Sequence, residues 1–310
     1  MSPLFNRASA WIKTRFGRRV QKIPIDAGFS CPNRDGSLSG QGCLYCSNAS
    51  FAPFYSNPQL AIAEQLRQGR EYYQKRYGCS SFFAYFQSYS GTYAPVETLR
   101  QKYREAADCQ DIEGLIIATR PDCINSDIVT LLQDIAQATF IRIELGVESF
   151  DDAVLAEMNR CHDVATSLQA ISRLRSAEIP VCIHLISGLP GEKPDYMTRA
   201  ARVTSESGAD MVKLHHLQII KGSRLARLYA ASPDSYHLYS IEAYIDRVCE
   251  FVANLAPNIY LERFISRIPV DQLVAPIFSG IDESAFQRLL EARLKTLGLY
   301  QGSSILASLP

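Results

Sequence analysis

The sequence predicts an α/β fold, specifically a partial (β/α)6 TIM-like barrel with a helical C-terminal extension. The chain of 310 residues is 47% hydrophobic, which is ample for a large core. Six short apolar runs alternate with segments of helical spacing, the pattern of parallel strands connected by helices. Polar residues recur directly after successive runs, and in such a barrel these loops share the face where catalytic residues lie.

The predicted strands are short runs rich in β-branched and aromatic residues, as expected for strands buried on both faces. They are residues 22–26, 81–87, 113–119, 140–147, 179–187 and 211–219. A further strand-like run, 258–264, falls later in the chain. We therefore expect a barrel domain over residues 1–220 and an extension packed on it over residues 221–310.

Between the strands, apolar residues recur with the spacing of an amphipathic helix. The predicted helices are 60–77, 95–107, 126–138, 151–158, 165–177 and 194–207. Pro95 suits the first position of its helix, and Ser126 suits an N-cap. A doubly wound nucleotide-binding fold would instead place a G-x-G-x-x-G turn after its first strand, where this chain has a cysteine loop.

The charge balance excludes binding through the overall field of the protein. Lys and Arg number 32 and Asp and Glu number 32, so nucleic acid or an anionic membrane would need a local patch. The N-terminus lacks the apolar segment of a signal peptide, and no apolar run is long enough to span a bilayer. We expect a cytoplasmic protein without a membrane partner.

Three of the nine cysteines, Cys31, Cys43 and Cys46, lie in the stretch CPNRDGSLSGQGCLYC. An odd number of cysteines in a reducing compartment disfavours a disulfide framework. Thiolates suit iron–sulfur clusters, zinc or copper(I). A closed zinc site needs a fourth ligand, which a distant residue could supply. A [4Fe–4S] cluster held by three cysteines would leave one iron free to bind a small molecule with an amino and a carboxylate group.

Several stretches together resemble the radical S-adenosylmethionine (radical SAM) superfamily. The cysteine loop is similar to its cluster motif, with a first gap of eleven residues in place of the usual three. ELGVESFDDAVLAEMNRCHD (144–163) is similar to a segment of the Elongator catalytic subunit, and HLISGLPGE (184–192) to the fifth-strand motif of that group. VKLHHLQIIKGSRL and LERFISRIPVDQLVAP resemble the bacterial YhcC/YtqA-type family in particular.

The resemblance implies a radical SAM enzyme on a partial barrel of the radical SAM type. Cys31, Cys43 and Cys46 would hold a [4Fe–4S] cluster whose free iron binds S-adenosyl-L-methionine. Reduction would then cleave the sulfonium and yield a 5′-deoxyadenosyl radical. The Elongator-like relatives imply a tRNA substrate, modified at the side chain of its wobble uridine, and the reaction needs a reducing electron donor such as a flavodoxin or ferredoxin. The alternatives are a radical SAM enzyme acting on a small molecule and a zinc-binding RNA adaptor.

The resemblance also suggests which residues contact S-adenosylmethionine. At Gly91 and Thr92 the family has a glycine-rich motif that contacts the methionine amino group, although the same residues could form a simple turn. Glu148 could instead cap the following helix, and Arg160 could meet a local acid instead of the cofactor carboxylate. The expected cofactor-binding residues are Tyr45, Gly91, Thr92, Glu144, Glu148 and Arg160.

Lys213 and His215 are the candidates for catalytic residues in the substrate pocket. They share one face of the sixth predicted strand, while His216 points the other way. The alternative for this pair is a salt bridge and a buried hydrogen bond. The basic and aromatic segment 11–22 could hold RNA, or it could pack its aromatic residues on the barrel.

Overall fold

The computed structural model describes residues 3–47, 53–266 and 268–306. Its main feature is one sheet of seven parallel strands that curls into a half-barrel. The strand order is β1-β2-β3-β4-β5-β6-β8, so successive strands are neighbours and helices pack outside. The predicted barrel architecture is therefore confirmed, with seven strands in place of six.

The strands of the sheet are nearly continuous apolar runs, because both faces of the sheet are covered. They are β1 Gln21–Ile25, β2 Phe82–Phe86, β3 Ile112–Thr119, β4 Phe140–Glu148, β5 Val181–Ser187, β6 Met211–His216 and β8 Tyr260–Arg263. A separate antiparallel pair is formed by β7 Ile219–Ile220 and β9 Leu273–Ala275.

The helices follow the predicted amphipathic segments closely. They are α1 Ala8–Phe16, α2 Ile62–Tyr77, α3 Val96–Ala107, α4 Ser126–Ala136, α5 Asp152–Glu157, α6 Val164–Ser176, α7 Tyr196–Ser207, α8 Arg224–Ala231, α9 Ile241–Ala253, α10 Glu283–Leu297 and α11 Ser303–Leu306. Within the described ranges, no helix is both long and apolar enough to cross a membrane.

Two predicted helix starts are wrong by one residue. Pro95 is the N-cap of α3 and not its first helical residue. Asn125, and not Ser126, caps α4, because the Asn125 side chain accepts a hydrogen bond from Ile128 N at 2.9 Å. Helix boundaries are the least certain part of a sequence pattern, and neither shift moves an apolar face.

The seventh strand comes from the run 258–264, which the sequence places in the C-terminal extension. It pairs in parallel with β6, with Met211 opposite Tyr260 and Val212 opposite Leu261. Leu261 N also donates to Asn6 O at 2.8 Å, so the N-terminal segment covers part of the outer edge of β8. The extension thus completes the half-barrel as well as packing on it.

Helix α1 lies against the amino ends of the strands. Trp11 and Phe16 contact Phe140, the first residue of β4, with ring centroids 5.9 and 5.3 Å apart, and Arg15 lies over the Phe140 ring. Arg18 forms an ion pair with Glu113 at 2.5 Å. The structure therefore favours the second interpretation of segment 11–22, in which its aromatic residues pack on the barrel.

Candidate functional site

A cavity of about 260 Å³ opens at the carboxyl ends of the strands. This is the end of a parallel barrel at which loops can converge, so residues distant in sequence meet here. The cysteine loop forms one wall, and the ends of β4, β5, β6 and β8 contribute the others. Its lining includes Cys31, Cys43, Tyr45, Cys46, Glu144, Glu148, Arg160, His184, His215 and Arg263.

The cysteine loop is held in a compact turn by its own backbone. Arg34 N donates to Cys31 O at 2.8 Å, and Cys46 N donates to Cys43 O at 3.1 Å. The loop is fastened to the barrel where Leu44 N donates to Met158 O at 3.1 Å. The three predicted ligands are free thiols that face one cavity.

Burial disfavours the charged form of two of these thiols. It raises the pKa of Cys31, and it raises the pKa of Cys46 to about 11, where the charge of Cys43 adds to the effect. Both thiols are therefore protonated at neutral pH without metal, and binding of iron must release their protons. Cluster assembly on this loop should accordingly become more favourable as the pH rises.

Arg160 reaches the cysteine loop from the segment after α5. Its Nη1 lies 3.4 Å from Cys43 Sγ, and its Nη2 donates to Gly146 O and lies 3.6 Å from Glu148 Oε1. Arg160 thus meets a local acid, Glu148, which is one of the two roles that the sequence left open, and it also reaches the sulfur of a predicted cluster ligand. A Cβ atom on Gly146 would lie 2.7 Å from both Arg160 Nη2 and Glu148 Oε1, so any larger residue here would displace these two side-chain ends.

Glu148 ends β4 in a left-handed conformation, with φ of 68°. A register shift between Gly146 and Glu148 accompanies this turn, and the carboxyl group lines the cavity. Burial raises the pKa of Glu148, although Arg160 opposes the change. The helix that follows is capped by Asp151, whose side chain accepts hydrogen bonds from Ala153 N and Val154 N, so Glu148 is not the cap.

Tyr45 turns its hydroxyl group into a buried position without a hydrogen-bond partner among the described residues. Burial, together with the charge of Glu148, raises the pKa of Tyr45 well above its usual value. A buried hydroxyl normally finds a partner, so an orphaned one beside a cavity indicates a missing ligand. This is the feature expected of a residue that contacts a bound cofactor.

Gly91 and Thr92 are held by protein partners. Gly91 N donates to Ala118 O at 2.8 Å, and the Tyr103 hydroxyl donates to Gly91 O at 2.6 Å. The Thr92 hydroxyl bonds that of Thr119 at 2.6 Å. Both residues are buried and stabilise the turn after β2, which favours the simpler interpretation. At this turn the cavity is lined by Gln87, Ser88 and Tyr89.

Glu144 lies at the centre of a buried ion network in the barrel lumen. Its Oε1 contacts Lys22 Nζ at 2.6 Å and Arg142 Nη2 at 2.8 Å. Its Oε2 contacts Lys213 Nζ and accepts a hydrogen bond from the Tyr85 hydroxyl at 2.8 Å. His184 Nε2 also lies 3.1 Å from Oε2, so this completely buried carboxylate contacts side chains of five strands.

A second carboxylate, Glu262 on β8, completes the network. It contacts Lys22, lies 3.4 Å from Lys213 Nζ and lies 2.7 Å from Arg142 Nη2. Burial alone would raise the pKa of Glu144, but Lys213 and Lys22 outweigh it and hold that pKa well below its usual value. Desolvation lowers the pKa of Lys22 to about 8, although Glu144 and Glu262 oppose the change, and the charges of Lys213 and Arg142 add to it.

Lys213 and His215 do face the same side of β6, as strand alternation predicts, while His216 packs against the Phe278 ring. Lys213 is buried in the ion network, which is the salt bridge that the sequence offered as its alternative role. His215 lines the cavity, and its Nε2 accepts a hydrogen bond from Arg263 Nη2 at 3.1 Å. Burial lowers the pKa of His215 well below its usual value, so the imidazole is neutral.

Arg263, at the end of β8, is a cavity residue that the sequence pattern missed. Its Nε is buried and has no partner among the described residues, and no ion pair of Arg263 appears within them. The only earlier signal was its place in the LERF stretch, which could not be assigned to the barrel without knowing that β8 joins β6. Arg34, Tyr85 and Tyr89 also line the cavity and were not predicted.

The donor set fits a cluster with one open iron. Three free thiols face a cavity, and orphaned buried polar atoms of Tyr45 and Arg160 lie beside them, where a polar ligand can satisfy them. Glu144, Cys182 and His184 also bring ligand atoms within 4.8 Å of one another. That trio is no cation site, because Lys22, Arg142 and Lys213 already surround its carboxylate.

Comparison with known families agrees with this geometry. The model of the radical SAM superfamily matches residues 35–203, and that of the radical SAM C-terminal domain matches residues 209–296. Cys43 and Cys46 lie inside the first match, and Cys31 lies just before it. The second match contains β8, the strand that completes the half-barrel.

The similar proteins span nearly the whole chain. YtqA of Bacillus subtilis is 30% identical over 291 residues, which are 94% of this chain and 89% of that protein. YhcC of Escherichia coli K12 is 33% identical over 279 residues, 90% of this chain and 88% of that protein. A protein of Dehalococcoides mccartyi named tRNA uridine(34) acetyltransferase is 26% identical over 183 residues, 58% of this chain and 39% of that protein.

Among solved structures, the archaeal Elp3 of Methanocaldococcus infernus, lacking its residues 1–46, has the same fold. The TM-score is 0.68 at 17% sequence identity, and the match covers 91% of this chain and 64% of that one. The chain thus spans less than two thirds of the Elp3 chain. The chain belongs to the radical SAM superfamily, in the Elongator-like branch that includes YtqA and YhcC, and it is a radical SAM enzyme that uses a [4Fe–4S] cluster and S-adenosylmethionine.

Proposed function

We propose that this enzyme modifies the side chain of the wobble uridine in tRNA. The observation that carries the proposal is a cavity with the cysteine loop on one wall and Arg263 among its other lining residues, a cation that has no carboxylate partner among the described residues. A relative whose name states an action on tRNA uridine 34 supports this substrate. When bound, the cluster and S-adenosylmethionine supply a 5′-deoxyadenosyl radical, so the chain itself must bind, orient and shield the two reactants.

We assign the cofactor side of the cavity to Cys31, Cys43 and Cys46 as cluster ligands, with Tyr45, Glu148 and Arg160 beside them. The Tyr45 hydroxyl has no partner among the described residues, so it can bind a polar cofactor without giving up a protein contact. Glu148 lines the cavity and keeps a carboxylate oxygen for a ligand beside its contact with Arg160. The ion network around Glu144 binds Lys22 from β1 to Glu262 from β8, so it ties the two outer strands of the half-barrel together.

We assign the substrate side to His184, His215 and Arg263. His215 is held as a neutral acceptor by Arg263, and burial lowers the pKa of His184 to about 4, so both imidazoles are uncharged at neutral pH. These residues line one part of the single cavity of about 260 Å³ that also contains the cysteine loop, so the substrate group that enters it must be small, such as one base. Moving a base out of its stack costs a few kcal/mol, and least for an unpaired base, which favours a nucleotide in an exposed loop.

Replacement of Arg263 by Met should lower the turnover of substrate without lowering the cleavage of S-adenosylmethionine. A charge-assisted hydrogen bond contributes about 1.5–3 kcal/mol, so turnover of substrate should fall at least about tenfold. Release of 5′-deoxyadenosine without substrate should remain near that of the native enzyme, because Arg263 lies outside the cysteine loop. Equal losses of both rates would place Arg263 on the cofactor side and contradict this assignment.

The direct test of the function uses anaerobically reconstituted enzyme with a strong reductant. We expect this enzyme to release 5′-deoxyadenosine, and we expect tRNA from cells lacking the gene to increase the rate of release. Mass spectrometry of the same tRNA should show that the reaction removes or changes one wobble-uridine nucleoside. Native tRNA that already carries the product should stimulate weakly. Release of 5′-deoxyadenosine that no tRNA changes would leave the radical enzyme intact but contradict the proposed substrate.

A small-molecule substrate is the second candidate, favoured by one observation. Segment 11–22 carries the densest basic run, yet its aromatic residues pack on the barrel, Arg18 is paired with Glu113 and Lys22 is paired with Glu144 in the lumen. The change of Arg15, Arg18 and Arg19 together to Ser tests RNA binding by this segment. Each lost phosphate contact reduces the slope of log affinity against log salt concentration by about one. An unchanged slope in this variant would therefore exclude RNA binding by segment 11–22.

We further propose a reducing cytoplasm as the location and a flavodoxin or ferredoxin as the electron donor. All nine cysteines are free, as expected where thiols stay reduced. Such a donor would need only to deliver one electron to a cluster bound at the carboxyl ends of the strands. Reconstitution of 5′-deoxyadenosine release with a purified flavodoxin and its reductase would test this directly.

A further inference from the structure

We propose that Arg160 and Asn33 raise the reduction potential of the cluster through hydrogen bonds to the sulfur of Cys43. This goes beyond the proposed function, because it concerns how the cluster accepts its electron and not which substrate is modified. It depends only on the membership of the chain in the radical SAM superfamily. It also gives Arg160 a role that differs from binding the carboxylate of the cofactor.

Two buried N–H groups converge on one ligand atom. Arg160 Nη1 and Asn33 Nδ2 each lie 3.4 Å from Cys43 Sγ. Asn33 is completely buried, and Arg160 is 7% exposed. A sulfur that accepts two such hydrogen bonds, one of them from a full positive charge, has less electron density to give to its iron.

The guanidinium is aimed at the sulfur by a strained backbone. Asn159 and Cys161, on either side of Arg160, both adopt the left-handed region, with φ of 54° and 59°. Neither residue is glycine, so each conformation has an energetic cost that the fold must offset. Arg160 O in turn accepts a hydrogen bond from Arg120 Nη2 at 2.7 Å, and Arg120 is held by two hydrogen bonds to Asp122.

Asn33 is fixed by the same segment. Its Nδ2 also donates to Asn159 O at 2.7 Å, so the residue that precedes Arg160 positions the second donor. Asn159 Nδ2 donates back to Gly42 O at 2.7 Å, next to Cys43. The segment 159–161 and the cysteine loop therefore form one rigid unit, in which both donors keep their distance from the sulfur.

The direction of the effect follows from charge. Reduction adds a negative charge to the cluster, and donors and a nearby cation stabilise that charge more than they stabilise the oxidised state. The effect is strong because the groups are buried and water screens them little. Arg34, which lies over the Tyr89 ring at the exposed rim of the cavity, provides a cation whose influence water screens more.

The test is a redox titration of the reconstituted cluster without S-adenosylmethionine, followed by electron paramagnetic resonance. In Arg160→Met, the ratio of reduced to oxidised cluster at a fixed potential should fall at least tenfold, which equals about 59 mV for one electron. Asn33→Leu removes one neutral donor and should shift the ratio in the same direction by less. Arg160→Lys keeps the charge and should lie between Arg160→Met and the native protein.

The control is Arg34→Met, which removes a cation from the cavity rim without removing a donor to Cys43, and its shift should be the smallest. If Arg160→Met fails to hold a full cluster, Asn33→Leu and Arg160→Lys decide the matter. Native potentials in every variant with a full cluster would overturn the proposal. A role confined to the cofactor carboxylate would weaken S-adenosylmethionine binding in Arg160→Met with no shift in the potential. None of these measurements uses tRNA, so failure here is separate from failure of the proposed function.

Discussion

Replacement of Cys31, Cys43 or Cys46 by Ala should abolish the [4Fe–4S] cluster and with it all release of 5′-deoxyadenosine. The three thiols face one cavity, and a cluster that already has one cysteine fewer than the usual four cannot lose another without losing iron. Iron and sulfide content and the visible absorbance of anaerobically reconstituted protein measure the effect. We expect both to fall close to zero in each variant.

The matched control is Cys79→Ala, in the loop between α2 and β2, which should retain the full cluster and the native rate. A thiol-to-methyl change at that half-buried position also reports any general loss of folding. A complete iron complement in the Cys43→Ala protein would mean that another residue ligates the cluster. Loss of iron in the control as well would show that the assay measures folding and not ligation.

The alternation of apolar runs was sufficient to predict the barrel, because strands buried on both faces have a strong local signal. Six strands and six helices fall within a few residues of their predicted bounds. The role of β8 was not predictable in the same way. Its neighbour β6 lies far away in sequence, and a local pattern indicates that a strand exists but not which strand it pairs with.

The candidate site was predictable where topology alone decides it. Loops after parallel strands meet at one end, so the cysteine loop, Glu148 and Arg160 could be expected to converge, and they do. How deep each side chain lies in the barrel lumen was not predictable. Alternation put Lys213 and His215 on one face, but only the structure places Lys213 in the ion network and His215 at the cavity.

The sequence pattern did not identify functional side chains whose position is set by contacts between distant segments. Arg263 is functional in our proposal because β8 closes the half-barrel beside β6. For segment 11–22 the sequence left two roles open, since basic residues interleaved with aromatic ones occur both on nucleic-acid surfaces and on a helix that packs across the amino ends of the strands. The two roles are distinguished by whether the aromatic side chains are packed against the barrel, which only the tertiary structure shows.

Replacement of Glu144 by Gln should lower the free energy of unfolding by about 3–5 kcal/mol, the cost of breaking a buried ion pair. The carboxylate is completely buried and meets Lys22, Arg142 and Lys213, so its loss leaves three cations with Glu262 alone. Urea unfolding of the cluster-free protein at neutral pH gives the difference. The control is Glu71→Gln, which breaks an exposed ion pair with Arg67 on helix α2 and should lower the free energy of unfolding by less than about 1 kcal/mol.

The dependence of this difference on pH identifies its cause. The pKa of Glu144 is held well below its usual value of 4.5 by Lys213 and Lys22, although burial opposes them. A carboxyl group with a depressed pKa stabilises the fold fully above its unfolded pKa and loses that contribution as the pH falls toward the folded value. The difference between native protein and Glu144→Gln should therefore shrink as the pH falls below about 4.5, because the unfolded carboxyl group then takes up a proton that the folded one does not. A difference that persists unchanged into acid would show that the variant loses packing, and not charge, at the centre of the barrel.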